Sequence, residues 1–348
     1  MIQAAVQIPR TPKLPAWPVY DYENLFSQIE VWHKIIDCHG GDAPNKYIFS
    51  RDKDHLIISK KMYMKCFKLT FYSQLEFPLS VGQWFVDSIE NKFWKPKSKG
   101  GLGPWKGLVE YLDGEELGVG RAMAMGGPGI GGYQIDNFSR TGHPLEEGDT
   151  RPESMSLYLH DILLQDVGMY GFFLDLKKWY EAEQATGIKK PLYPKIINIG
   201  QIDVDVLPAK AILIKAMPSL DKKNVMDYWI SWGDYLFIVS KGENYFNQVE
   251  IPKQALPWIA DTVEKLFFKN DGKNQVSPME YFAPSIVIGD TEQIRVTNGL
   301  GQVSLAGTRF RLMNLNRTSY TDPLMAQEFD LYYAHFEKHG LGQLFRMV

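Results

Sequence analysis

The densest chemistry in the chain lies just past residue 90. Lys92, Lys95, Lys97, Lys99 and Lys106 alternate there with Trp94 and Trp105 around Gly100, Gly101 and Gly103. No acidic residue interrupts the stretch from Asn91 to Gly107. Ammonium groups neutralise phosphates, aromatic rings stack on bases, and glycines let the backbone bend around a strand. The pattern suits a loop that grips nucleic acid. It equally suits a solvated lysine loop whose tryptophans turn into a core.

A second basic cluster holds Lys60, Lys61, Tyr63, Lys65 and Lys68, with Tyr72 close by, on strand-like text. By the two-residue period of a strand, Lys61, Tyr63 and Lys65 share one face. A cationic aromatic sheet face accepts single-stranded nucleic acid, while lysines also guard edge strands against aggregation. Arg309, Phe310 and Arg311 form a third patch, with Arg317 beyond it. It either extends a binding path or pairs with acids such as Glu328.

Other constellations lead nowhere catalytic. Gly127, Gly129 and Gly132 match the dinucleotide spacing G-x-G-x-x-G, but the residues after them do not read as the helix that motif must open. Asp203 and Asp205, placed on one strand face, could share a hard cation, yet no third ligand accompanies them. His335 and His339 stand one helical turn apart without the glutamate of a metalloprotease. His33, His39, Cys38 and Asp42 cluster without a recognised nucleophile. No catalytic residue, metal or cofactor is therefore expected.

Bulk properties narrow the class. The net charge of −3 over 348 residues offers no global attraction to nucleic acid, so any binding must be local. Only Cys38 and Cys66 are present, which is no disulfide framework and points to a reducing compartment. Residues 1–18 lack a basic region followed by an apolar run, and no apolar run reaches membrane-spanning length. A cytoplasmic protein without a membrane partner is expected.

The elements that must position these groups contain a duplication. Phe71–Phe93 aligns without a gap on Tyr245–Phe267, matching Gln74 with Gln248, Glu76 with Glu250, Pro78 with Pro252, Trp84 with Trp258 and Asp87 with Asp261. Each copy reads as strands ended by a proline and followed by one helix. The expected fold class is α+β: two tandem antiparallel-sheet-plus-helix units packed as an intramolecular pseudo-dimer, with a long Gly-rich insert and a C-terminal extension. The expected layout is an N-terminal arm and helix over 1–45, with the helix at 21–36, then repeat unit 1 over 46–94. A Lys/Gly-rich insert follows over 95–152, and a connecting helix over 153–191 from about Ser154 to Thr186, capped by Gly187. Repeat unit 2 covers 192–270, its first strand at 195–206. C-terminal strands and a helix from Asp322 to about His339 fill 271–348.

The phrase Phe77-x-Leu79-Ser80-Val81-x-Gln83-Trp84 resembles the final strand and helix start of positive cofactor four, and the related Whirly fold. The resemblance implies curved antiparallel sheets, helices that seam two units together through the Trp84 and Trp258 stripes, and single-stranded DNA crossing the sheets. The plan is also similar to the single-stranded-DNA-binding RNA polymerase cofactors of phages that carry a virion RNA polymerase, which would place the protein in a host cytoplasm. The function expected from this is sequence-tolerant binding of single-stranded DNA or RNA that assists transcription or replication, with an RNA polymerase as partner. An enzyme with its site at the Gly-rich insert, and a non-catalytic assembly protein, stand as alternatives.

Overall fold

The computed structural model describes residues 14, 18–37, 44–64, 68–103, 106–122, 131–140, 155–160, 168–220, 222–268, 284–289, 291–298, 309–332, 336 and 340–347. They form four four-stranded sheets, each a meander whose strands lie in chain order. The first holds β1 (Glu30–Asp37), β2 (Asn45–Asp52), β3 (His55–Met64) and β4 (Leu69–Pro78); α1 (Val81–Ser88) follows and runs into a π-helical turn, Ile89–Phe93. The second holds β5 (Leu108–Leu112), β6 (Glu115–Ala122), β7 (Gly132–Asn137) and β8 (Met155–His160), with α2 (Met169–Thr186) after it. The third holds β9 (Ile212–Pro218), β10 (Val225–Trp232), β11 (Tyr235–Gly242) and β12 (Tyr245–Pro252), then α3 (Leu256–Thr262) and a second π-helical turn, Val263–Phe268. The fourth holds β13 (Ser285–Ile288), β14 (Glu292–Asn298), β15 (Arg309–Thr318) and β16 (Ala326–Tyr332), with α4 (Leu341–Met347) at the end. The α+β class with antiparallel pairing is as expected. The stretch read as a Gly-rich insert carries three strands of the second sheet, β8 falling in the stretch read as the connecting helix, and the one read as an extension carries the fourth sheet.

The chain divides into two compact units. Unit 1 takes residues 1–31, 36–161 and 173–187; unit 2 takes 32–35, 162–172 and 188–348. In unit 1, α1 packs on α2: Phe85 and Phe173 lie 4.8 Å apart between ring centres, and a Cβ on Gly82 would come within 2.7 Å of Leu176. Lys177 pairs with Asp87 at 2.5 Å across the same crossing. In unit 2, one apolar core gathers Trp229, Leu236, Ile251, Ile259, Val296, Phe310, Leu331 and Phe345 from both sheets and both helices. Arg346 of α4 reaches Asp261 and Glu264 beside α3, at 2.8 and 2.9 Å. The repeated Asp87 and Asp261 thus serve the same purpose: each holds a basic residue of the helix packed against its own.

Four sequence expectations give way here. The helix placed over 21–36 is a 3-10 turn, Tyr22–Ser27, followed by β1. Its Trp32, His33, Lys34 and Ile35 are all buried, so no strand alternation marked it; β-branched Val31, Ile35 and Ile36 favour the extended form. The helix expected from Ser154 starts at Met169, because Leu157 and Leu159 point inward and Tyr158 outward on β8. Its predicted end holds: Gly187, at φ +67°, donates its N–H to the Glu183 carbonyl at 2.8 Å. The strand expected over 195–206 is irregular chain, joined to β15 by the bridge from Ile196 to Arg317 and by side-chain bonds from Asn198 to the Thr318 carbonyl and from Arg317 to the Ile197 carbonyl. The helix expected from Asp322 is a turn capped by the Asp322 carboxylate on Leu324 N–H, then β16, where Phe329 and Leu331 alternate inward.

Candidate nucleic-acid interface

The lysine stretch after α1 is a compact loop. Pro96 O accepts the N–H groups of Lys99 and Gly101, and Lys92 O accepts that of Leu102 at 2.7 Å. Gly100 takes φ +89°, and a Cβ on Gly101 would lie 1.7 Å from Lys95 O, so both positions require glycine. This fold turns Lys92, Lys95, Lys97 and Lys99 into solvent, with Lys106 exposed beyond. Among the described residues, none of these five lysines has an ion-pair partner. Trp94 is half-buried, and Trp105 lies outside the described residues. Lys92 also lines a groove of about 510 Å³ between α1 and β5, together with Gln83, Trp84, Glu110 and Tyr111. Trp84 donates its indole N–H to Glu110 at 2.8 Å and is otherwise buried.

The second cluster is partly spent. Lys61 pairs with Glu23 at 2.6 Å and lies over the rings of Tyr22 and Tyr72, at 5.6 and 5.1 Å. Tyr72 donates to the same Glu23 carboxylate at 3.1 Å. The hydrogen bond from Lys61 is the main cause that holds the Glu23 carboxyl below its ordinary pKa. Lys60 is half-buried over Tyr47 at 5.5 Å, and burial lowers its ammonium pKa, opposed by Asp37. Tyr63 and Lys68 are exposed, Lys68 at φ +53° in the approach to β4. Lys65 lies outside the described residues.

In the arginine patch, Arg311 and Arg317 are satisfied from within. Arg311 forms ion pairs with Glu328 at 3.0 Å and Asp330 at 2.8 Å, since β16 runs beside it. Arg309 sits on the same strand opposite Tyr332. Asp203 and Asp205, expected on a strand face as cation ligands, both turn to Lys241, at 3.3 and 2.5 Å. His33 is buried in β1 against Phe172 and Tyr193; burial, with help from Lys195 and Arg295, lowers its pKa to about 3. Cys38, His39, Asp42, His335, His339, Gly127 and Gly129 lie outside the described residues. Among the described residues no group of three or more His, Cys, Asp or Glu side chains is placed to hold a metal.

Sequence reasoning missed two tyrosines. Tyr111 on β5 is 65% exposed and Tyr158 on β8 is 41% exposed. With Tyr63 and Tyr72, they make unit 1 the site of every exposed tyrosine among the described residues. The large exposed apolar side chains of unit 2 are aliphatic instead, led by Ile197, Met347, Val206 and Ile212.

Sequence reasoning also missed a buried polar network built twice. In unit 1, Arg140 binds Glu115 at 3.0 and 2.9 Å and approaches Glu76 at 3.5 Å. Asn137 donates to Glu115 at 2.6 Å and to the Glu76 carbonyl at 2.9 Å. In unit 2, Arg317 binds Glu292 at 2.5 Å and Glu250 at 2.9 Å, while Asn314 donates to Glu292 and to the Glu250 carbonyl, each at 2.7 Å. From the second glutamate, the asparagine and arginine stand 22 and 25 residues on in both units. His55, 2.7 Å from Glu115, takes the place that Tyr235 holds 2.9 Å from Glu292. Burial opposes the charge on Glu115, but its bonds to His55, Arg140 and Asn137 outweigh that and hold its pKa at about 2. The glutamates, asparagines and arginines are buried and unite two sheets within each unit, with His55 and Tyr235 half-buried at the margin. They are scaffold.

Comparison with protein-family models, with curated proteins and with solved structures returned no match. The functional reading therefore rests on this chain's own surface. Among the described residues, no helix is long and apolar enough to cross a membrane.

Proposed function

We propose that the protein binds single-stranded DNA with little sequence preference, through the lysines and tyrosines of unit 1, and assists transcription or replication. An RNA polymerase is the partner this reading expects. The observation that carries it is the run of five solvent-facing lysines, Lys92 to Lys106, without ion-pair partners among the described residues, of which Lys92 lines a groove with Tyr111. Cations without acidic partners release counterions when they meet phosphate, and exposed rings stack on any base. In this reading the two tandem repeats, 46–94 and 192–270, correspond to the two units that the resembling family pairs. A titration of labelled single- and double-stranded DNA and RNA oligonucleotides at two salt concentrations tests the reading. Tighter binding of single strands, weakened by salt, supports it; no binding at low salt ends it.

A second reading has its own support. The exposed aliphatic residues of unit 2, with Ile212 and Leu213 on the edge strand β9, suit a subunit contact. Light scattering across a concentration series distinguishes a self-assembling protein from a monomeric binder.

A further inference from the structure

Segment 18–28 lies along the first sheet, and segment 200–210 repeats its anchorage on the third. Gln74 accepts the Tyr20 N–H at 2.9 Å and donates to the Pro18 carbonyl at 3.0 Å. Gln248 does the same to Ile202 and Gly200, at 2.9 and 2.8 Å. Three residues past each anchored N–H stands an acid, Glu23 or Asp205. Each acid closes on a lysine six positions into its strand, Lys61 of β3 or Lys241 of β11.

What each segment offers its sheet differs. Segment 200–210 is apolar toward it: Ile202, Val204 and Leu207 pack with Ile230, Phe237 and Val239. Segment 18–28 buries Leu25 alone, and meets the sheet elsewhere with a carboxylate on Lys61, an aromatic ring, Tyr22, 5.4 Å from that of Tyr72, and the Tyr20 hydroxyl, which donates to Asp52 of β2. An anion on a lysine, a ring against a ring and an amide holding an extended backbone are the contacts a single-stranded nucleic acid would make.

We propose that segment 18–28 occupies a second contact site for the single strand, formed by Lys61, Tyr72 and Gln74, and that nucleic acid displaces it. The inference rests on the function proposed above. The segment acts as a built-in competitor: affinity is lowered by the fraction of molecules in which it is seated. The Asp205 latch of unit 2, backed by an apolar cluster, stays closed.

Hydrogen exchange on the wild-type protein, with and without a thymidine oligonucleotide, tests this directly. Amides of residues 18–28 exchange faster in the complex while those of 200–210 do not change. The double variant Tyr22→Ala, Glu23→Gln binds the oligonucleotide several-fold tighter, and Asp205→Asn binds as wild type. Unaltered protection of 18–28 in the complex, with wild-type affinity in the double variant, overturns the competitor while leaving strand binding intact. Absence of binding in the wild type and in the double variant removes both proposals.

Discussion

Asp205 does for Lys241 what Glu23 does for Lys61: the two carboxylates close on equivalent lysines at 2.5 and 2.6 Å. Both pairs are largely exposed, so neither contributes much to stability. Their interest lies in what they cover. One latch seals an apolar seam; the other sits on the cationic, aromatic end of the first sheet.

Removing charge from the lysine loop should reveal its contribution to binding. Replacing Lys95, Lys97 and Lys99 by alanine is expected to lower the slope of log K against log salt by about 2, from roughly 0.7 per phosphate contact on a single strand. Fluorescence anisotropy over a salt series reads this. An unchanged slope takes the loop out of the interface.

The two tyrosines found only in the fold carry a separate expectation. Tyr111→Ala and Tyr158→Ala should each weaken single-strand binding by about 1–3 kcal/mol, the usual worth of one base stacked on one ring. Both side chains are exposed, so thermal midpoints should stay near wild type. A loss of affinity matched by a loss of folding would assign them to structure instead.

Arg317→Met should cost unit 2 about 3–5 kcal/mol, because it leaves Glu250 and Glu292 buried without their cation. Denaturant unfolding measures it. A cost below about 1 kcal/mol would mean that the network is not closed to water as described.

Acid should destabilise the protein before its carboxylates titrate. His33 has a folded pKa of about 3 against an ordinary 6.5, so only the unfolded chain takes up that proton between the two values. The stability contributed by neutral His33 is complete above pH 6.5 and is lost as pH falls toward 3. At pH 5 the loss is about 2 kcal/mol, from ~1.4 kcal/mol per pH unit. Glu115, at about 2 against an ordinary 4.5, adds its own loss only below that ordinary value. Unfolding of His33→Gln between pH 5 and 7 should show a flatter dependence than wild type.

Much of the scaffold was legible as aligned letters, and its purpose was not. Gln74 with Gln248 and Glu76 with Glu250 stood out as matched pairs, but only the fold shows the glutamines gripping backbone and the glutamates buried on arginines. The other half of each network was also written twice, as Asn137-Phe-Ser-Arg140 and Asn314-Leu-Asn-Arg317. The first copy was obscured because a short strand beside glycines carries little hydrophobic period. Lys61 looked available because nothing in its own strand neutralises it; its partner stands 38 residues earlier. Arg311 was read correctly as a candidate for pairing with Glu328. Tyr111 and Tyr158 gave no signal, since a lone tyrosine on a strand faces inward or outward according to neighbours that only folding supplies.

The amide grip of Gln74 and Gln248 has an evolutionary corollary. Each holds an N–H and a carbonyl, groups that every residue but proline offers alike. The segment so held can change its side chains without losing its seat, and it has: Pro18 and Tyr20 in one copy answer to Gly200 and Ile202 in the other. A duplicated domain can thereby keep its frame while it rewrites the surface lying on it, so that divergence collects where a ligand would be met.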